Sequence, residues 1–487
     1  MNDIQVKSSK ALKWSSLAEI IAKLVTPISN LILARLLTPE AFGVVATVTM
    51  VISFADMFSD SGFQKFLVQH EFDNDEDLRI SANVAFSSNI ILSLCLWGLL
   101  CLCNDRIASL VGNPGLGVVI IVAGISLPAT SFSSIQAALF RRKFNFKVLF
   151  YSRVVSAVIP LIVTVPLALL GLSYWALIIG TIIGNFSTAI ILTVLSPWKP
   201  KLIFRKKEFL EMLSFSVWSL FESLGTWLSS YIGTFIVSSI LSQYYVGLYK
   251  TTMTTVNGLF AIITTATTSV LFTSLSRLQS DKQEYDKYFV DFIRIVSILI
   301  IPIGFGTMVY KDLVTQILLG SQWTEAVPFV GIYGLMSCLT LILGQYSSEY
   351  FRGLGKPKAN VLMTVLHLAA LIPILIISAN HGFIVLAYAR SFVKAEQILV
   401  FWGILWFGFK FNPIRIIKCI AKPVLSAIVM SIIGYAMLGF CTSYFMQFIS
   451  VLICIIVYFG FYVIVLRGKK DVLNLVRMFT GRGEKNE

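Results

Sequence analysis

The stretch Leu149–Leu195 reads LFYSRVVSAVIPLIVTVPLALLGLSYWALIIGTIIGNFSTAIILTVL and holds a single charge, Arg153. A helix needs about 20 apolar residues to cross the hydrocarbon core of a bilayer. Two such runs fit here, 149–170 and 174–195, joined by the uncharged turn G-L-S. The segment that follows, 196–213, carries five Lys and Arg residues. Two apolar spans, a turn without charge on one side and a basic loop on the other form the repeating unit of an α-helical polytopic membrane protein. In lipid a helix satisfies its own backbone polar groups, and positive loops stay on the cytoplasmic side.

Working outward from this unit gives fourteen apolar runs: 15–36, 42–64, 83–103, 117–140, 149–170, 174–195, 214–241, 247–275, 290–310, 327–350, 360–379, 383–407, 421–441 and 444–466. With the N-terminus inside, the inner segments hold 29 Lys and Arg residues and the outer loops hold two, Arg106 and Lys311. One span missed or added in the middle would destroy that asymmetry, so fourteen spans with both termini cytoplasmic are expected. The acidic loop 69–78 is predicted inside against its sign, but acidic residues weigh little in this rule.

Composition agrees. Over 487 residues only 13% are charged and 56% are hydrophobic, and the mean hydropathy is +0.82. Soluble domains carry about 25% charged residues, so this chain cannot cover a water-facing surface. The net charge of +14 lies in short clusters between apolar runs and not along one face, which argues for cytoplasmic loops and against nucleic acid. Seven cysteines sit in or beside apolar runs without metal-ligand spacing, so neither a disulfide framework nor a metal site is expected. Residues 1–14 are polar and basic with no cleavage site after them, and the first span is expected to act as an uncleaved anchor.

Two stretches look alike at an offset of 204 residues: Leu31–Gly43 (LILARLLTPEAFG) and Phe235–Gly247 (FIVSSILSQYYVG). A second pair, Ala137–Lys143 (AALFRRK) and Ser348–Leu354 (SEYFRGL), matches at 211. Each pair occupies the same place in the topology six spans apart. Six is even, so the copies would share orientation about an axis along the membrane normal. The expected layout is a cytoplasmic N-terminus (1–14), a six-helix N-lobe (15–195), a basic linker (196–213) and a six-helix C-lobe (214–407). Two further helices (408–466) and a basic amphipathic tail (467–487) follow. The tail alternates Lys469, Lys470 and Arg477 with Val472, Leu475, Val476 and Phe479, the pattern of a helix lying on anionic headgroups.

Polar residues inside the spans fall on helical faces. Span one carries Glu19, Lys23, Thr26 and Asn30; span two carries Thr49, Ser53, Asp56, Asp60 and Gln64. Span seven carries Ser219, Glu222, Thr226 and Ser230; span eight carries Lys250, Thr254, Asn257 and Thr264. Steps of three and four put each set on one side of its helix. Ionisable groups at membrane depth cost several kcal/mol and usually face a cavity or a partner. These stripes therefore read as walls of a hydrated pathway, with interhelical pairing as the structural alternative, Glu19 with Lys23 for example. Arg35, Lys65, Arg153, Glu349, Arg390 and Lys394 are further groups of this kind; Arg35 and Lys65 lie near span ends, where they can snorkel. Cations at depth suit an anionic cargo, and carboxylates suit a coupling ion.

The run Ala34–Gln69, ARLLTPEAFGVVATVTMVISFADMFSDSGFQKFLVQ, strongly resembles polysaccharide flippases. These belong to the multidrug/oligosaccharidyl-lipid/polysaccharide exporter superfamily, and the branch it most resembles is the Wzx-type one of colanic and teichuronic acid exporters. LFRRKFNF (Leu139–Phe146), LSRLQSD (Leu275–Asp281) and FRGLGKPK (Phe351–Lys358) support it, and the resemblance covers about residues 10–400. It implies two six-helix lobes around a central cavity, alternating access, and an undecaprenyl-pyrophosphate-linked oligosaccharide moved to the outer leaflet of a bacterial cytoplasmic membrane. It also implies membrane lipid, a polysaccharide polymerase and a chain-length regulator as partners, and an H+ or Na+ gradient as drive. Carried onto this chain, Lys23, Arg153, Lys250 and Arg390 become cargo-binding candidates. Glu19, Asp56, Asp60 and Glu222 become ion-coupling candidates.

Two rivals differ in class. A cation-coupled drug exporter of the same superfamily would favour carboxylates and aromatics over the membrane-depth cations present here. A polymerase or glycosyltransferase on the same lipid would need a large outer loop or a soluble nucleotide-binding domain, and the sequence provides neither. The acidic pairs Asp73/Asp75 and Asp75/Asp77 match a metal-binding D-x-D only in a loop where acidic pairs arise by chance.

Overall fold

The computed structural model describes residues 14, 21, 25, 27–60, 62–356, 358–441 and 443–480, with backbone alone at 59, 60, 218 and 478–480. Among these residues all regular structure is helical. Helix α1 covers residues 27–36. It is followed by α2 (Pro39–Asp60), α3 (Phe63–Gln69), α4 (Asp75–Leu102), α5 (Asn104–Leu110), α6 (Gly117–Gly124), α7 (Ser126–Arg142), α8 (Phe146–Leu169) and α9 (Tyr174–Leu195). Then come α10 (Lys206–Ile240), α11 (Gln243–Arg277), α12 (Lys282–Val309), α13 (Lys311–Leu318), α14 (Val327–Thr340) and α15 (Tyr346–Gly353). The last are α16 (Lys358–Ala379), α17 (Phe383–Gly403), α18 (Ile414–Leu438), α19 (Tyr444–Gly460) and α20 (Lys469–Thr480). The chain divides into two compact units, Met1–Thr251 and Thr252–Glu487, with the boundary inside α11.

The second to fourteenth expected runs each fall on these helices, and the first lies mostly outside the described residues. Eleven described helical segments are long and apolar enough to cross a membrane. Two helices on expected runs fall short of that measure for readable reasons: α10 is diluted by Ser and Thr, and α17 carries Arg390, Lys394 and Glu396. At 1.5 Å per residue the 35 residues of α10 and of α11 extend for about 52 Å. That exceeds the hydrocarbon thickness of about 30 Å.

Local chemistry sets the helix ends. The acidic loop 69–78 leads from the end of α3 into the first turn of α4. The Asn74 side chain accepts a hydrogen bond from Asp77 N at 2.8 Å, and Asp75, Glu76 and Asp77 fill the first turn, where negative charge meets the helix dipole. Arg142 closes the other side, donating to the carbonyls of Leu67 (2.9 Å) and His70 (2.7 Å) at the end of α3. Asp281 caps α12 through Gln283 N and Glu284 N at 2.9 and 3.0 Å.

In the opening stretch, α8 and α9 meet through small residues. A Cβ on Gly180 would lie 2.1 Å from Thr164 Oγ1, and one on Gly184 2.6 Å from Pro160 Cγ. The Gly180-x-x-x-Gly184 face thus receives the proline-bearing face of α8 at backbone distance.

Both repeat pairs occupy equivalent local structure. Leu31–Gly43 closes α1 and opens α2, and Phe235–Gly247 closes α10 and opens α11. After α7, Phe144 takes φ 54° and after α15, Gly355 takes φ 68°; these positions differ by the same 211 residues as the second pair. Asn145 N bonds Phe140 O at 2.9 Å and Lys356 N bonds Phe351 O at 3.0 Å, the same left-handed helix stop in each unit.

The C-terminal helix is more firmly attached than its amphipathic pattern required. Leu475 is buried, Asp471 Oδ1 pairs with Arg294 Nε at 3.2 Å, and Tyr462 donates to Asp471 Oδ2 at 3.0 Å. Leu473 and Val476 stay exposed, the apolar side available to a membrane surface.

Candidate functional site

In the first unit the C-terminal end of α2, the start of α3, α7, the first half of α8 and α9 line a cavity of about 510 Å³. The sequence of α7 explains its lining: T-S-F-S-S (130–134) puts hydroxyls on several sides of one turn. Thr130, Ser131, Ser133 and Ser134 face the cavity with Ser152, Ser156 and Thr188 from α8 and α9. In an otherwise apolar helix such hydroxyls bond back to their own carbonyls, as Ser133 does to Thr130 O at 3.0 Å and Ser134 to Ser131 O at 2.9 Å. Their oxygens can still accept, and Ser134 Oγ already does so from Asn89 Nδ2 at 3.2 Å.

Three charged groups line the same space: Asp56, Arg141 and Arg153. Thr130 donates to Asp56 Oδ1 at 2.8 Å, and Arg141 donates to Gln64 Oε1 at 3.0 Å. Thr49, Ser53, Asp56 and Gln64 of the span-two stripe each line a cavity wall. Gln64 lines this cavity, Thr49 and Ser53 line a neighbouring one of about 170 Å³, and Asp56 and Thr130 stand in both. Two guanidiniums, an amide and a wall of hydroxyls are groups that can hydrogen-bond phosphate oxygens or sugar hydroxyls; Arg offers the planar fork that phosphates accept.

The other predicted groups are placed as follows. Lys23 and Glu19 lie outside the described residues, as does the side chain of Asp60. Glu222 forms an ion pair with Lys65 at 2.7 Å, both side chains exposed. Lys250 sits over the ring of Tyr231 at 4.8 Å. Arg153 and Asp56 are thus brought into one cavity, and Glu222 and Lys250 are held on α10 and α11 by partners of their own.

The second unit has its own cluster. Arg390 and Lys394 both lie over the Tyr333 ring, at 5.8 and 4.2 Å, and Lys394 donates to Ser337 Oγ at 2.9 Å. His367 Nδ1 and Glu396 Oε2 are 3.0 Å apart. Glu349, buried, pairs with Arg352 at 3.0 Å. In the sequence neither His367 nor Glu396 continues a polar stripe, and Arg141 stands out only within the repeated AALFRRK and the segment LFRRKFNF. The serine-rich turn 130–134 was the signal that could have found the cavity.

Residues 32–328 match the family model described as polysaccharide biosynthesis protein. A succinoglycan biosynthesis transport protein, ExoT, of Rhizobium meliloti (strain 1021) is 24% identical over 82% of this chain and 81% of its own length. The lipopolysaccharide biosynthesis protein WzxC of Escherichia coli (strain K12) is 21% identical over 74% of this chain and 70% of its own. Among solved structures, a lipid II flippase MurJ in an inward closed conformation aligns with a TM-score of 0.77 at 16% identity, covering 94% of this chain and 99% of its own. An inward-facing multidrug resistance MATE transporter aligns with a TM-score of 0.59 at 14% identity, covering 82% and 96%. These two share the all-α polytopic membrane fold, and the resemblance read from Ala34–Gln69 holds. The chain belongs to the polysaccharide biosynthesis protein family.

Proposed function

We propose that this protein is a flippase that carries an undecaprenyl-pyrophosphate-linked oligosaccharide from the cytoplasmic to the outer leaflet of a bacterial cytoplasmic membrane, for assembly of a surface polysaccharide. It is a multi-pass transporter and not an enzyme, in keeping with relatives named as transport proteins and flippases. The observation that carries the reading is the hydroxyl-lined cavity in which Arg141 and Arg153 face Asp56. A pyrophosphate needs cationic forks, a saccharide needs many hydrogen-bonding groups, and a membrane interior tolerates neither without such a lining. Alternating access exposes the cavity to each side in turn, with an H+ or Na+ gradient as drive and Asp56 as the carboxylate best placed to respond. Arg153 leads the cargo-binding candidates, with Lys250 and Arg390 as further ones. A polymerase and a chain-length regulator act on the delivered unit.

The test is deletion of the gene in its host, with lipid-linked saccharides extracted and assigned to leaflets. A complete repeat unit trapped on the inner leaflet with loss of surface polymer is the expected result. Normal polymer without a trapped intermediate, in a host with no second flippase, would move the assignment to a drug exporter.

A further inference from the structure

Beside the cavity, four aromatic rings of the first unit form a continuous ribbon. Phe58 and Phe54 on α2 lie 5.2 Å apart edge to face. Phe54 lies 4.9 Å from Trp227 on α10, and Trp227 stacks on Tyr231 at 5.7 Å with 29° between planes. Lys250 of α11 ends the series over Tyr231. Successive ring centroids thus lie 4.9–5.7 Å apart, edge to face along the phenylalanines and stacked at Trp227–Tyr231. The Trp227 ring is fixed, its indole N–H donating to Ser53 Oγ at 3.0 Å. Phe54 is 40% exposed, and Trp227 and Tyr231 are half-buried.

The surroundings decide what the rings meet. On α10 the residues flanking Trp227 and Tyr231 include Thr226, Ser229 and Ser230, all exposed. Their hydroxyls donate to the carbonyls of Glu222, Gly225 and Thr226 at 3.0, 2.9 and 2.9 Å, which leaves oxygen acceptors turned outward. The exposed Lys65–Glu222 pair stands one turn below. A lipid chain against this face would place an ion pair and several hydroxyls in hydrocarbon away from water. A pyranose offers what the face asks for: an apolar C–H surface for the rings and a rim of hydroxyl donors for the oxygens.

We propose that the ribbon Phe58–Phe54–Trp227–Tyr231 is a saccharide track, on which the sugar units of the cargo stack while the pyrophosphate is held elsewhere. This rests on the flippase reading above. The rings recognise sugar faces without regard to which sugar they belong to, so the track gives grip on carbohydrate as a class and leaves identity to other groups.

The experiment uses full-length protein in liposomes with two probes: undecaprenyl-pyrophosphate saccharide extracted from the deletion host, and undecaprenyl pyrophosphate without sugar. Binding of each, and movement of the glycosylated lipid, are measured for wild type, Trp227→Ala, Tyr231→Ala and Trp227→Phe. Loss of one stacking ring is expected to weaken binding and movement of the glycosylated lipid by about two- to tenfold. Binding of the sugar-free lipid is expected to be unchanged, and Trp227→Phe, which keeps a ring, to retain most activity. Thermal unfolding confirms that each variant is folded. Equal losses for both probes, or no loss for the glycosylated one in folded variants, would overturn the track while leaving the flippase intact. A wild-type protein that moves no glycosylated lipid would instead remove the flippase reading and the track with it.

Discussion

Gly43 and Gly247 stand against each other reciprocally. A Cβ on Gly43 would lie 1.8 Å from the carbonyl oxygen of Gln243, and one on Gly247 would lie 1.8 Å from that of Pro39. Pro39 and Gln243 are separated by the same 204 residues as the two glycines, so each copy of the repeated stretch touches the other through equivalent atoms. That is the local geometry of a two-fold contact, in which residue i meets j and j meets i. Substitution to Ala at either glycine must push two backbones apart, and overpacking of this kind costs about 1–3 kcal/mol. Thermal unfolding of Gly43→Ala, Gly247→Ala and the double variant is expected to show less than additive loss, because the first methyl already opens the crossing for the second.

The paired helix stops after α7 and α15 predict effects of opposite sign. Phe144 holds a left-handed backbone that costs a non-glycine residue about 1–2 kcal/mol, and its side chain is 49% exposed. Phe144→Gly is expected to raise the unfolding temperature. Gly355 has the same sign of φ and open space around it, so Gly355→Ala is expected to lower the unfolding temperature through backbone strain alone.

Arg141 and Arg153 are expected to be needed for export while protein level is unchanged. Loss of a charge-assisted bond to an anionic group costs about 1.5–3 kcal/mol, or roughly tenfold to over a hundredfold in affinity. Arg153→Ala should reduce movement of the saccharide lipid more than Arg153→Lys, which keeps the charge and loses the fork. Lys250→Ala and Arg390→Ala test the remaining cargo candidates in the same assay, and normal export in both and in their combination would remove those two.

Asp56 is expected to link transport to the ion gradient. Asp56→Asn keeps the shape that accepts from Thr130 and removes the charge, so movement down a cargo gradient should persist while its dependence on an imposed H+ or Na+ gradient falls. Full gradient dependence in that variant would exclude Asp56 as the coupling group. Glu222→Gln provides the contrast. Its ion pair with Lys65 is exposed on both sides, and such pairs contribute at most about 1 kcal/mol, so little change in stability is expected.

Asp471 is expected to be the clasp of α20. Asp471→Ala removes one of the two carboxylates that pair with Arg294, Asp291 being the other, and the acceptor of the Tyr462 hydroxyl. Hydrogen exchange across Lys469–Thr480 should rise sharply in that variant, while the spans of the second unit keep their protection. Unchanged exchange would mean that burial of Leu475 holds the helix without the ion pair.

The sequence by itself determined the membrane, the helical class and the order of the spans. Lipid leaves a chain one local solution, the self-satisfied helix, and the length and charge of each segment then suffice to place it. Asp56 and Arg153 could be named from depth and helical face, because charge inside an apolar run is conspicuous wherever it folds. What they face was decided by tertiary structure. Arg141 belongs in the sequence to a repeated segment and shows its polar partner only where the end of α7 comes beside Gln64, and the hydroxyls of 130–134 become a lining only where α2 and α8 close around them. The ribbon from Phe58 to Tyr231 joins residues on separate helices, and an aromatic in a membrane span carries no sign of whether it meets lipid, protein or cargo. Charge is legible in one dimension because it is costly everywhere in hydrocarbon; shape and adjacency exist only once the helices have packed.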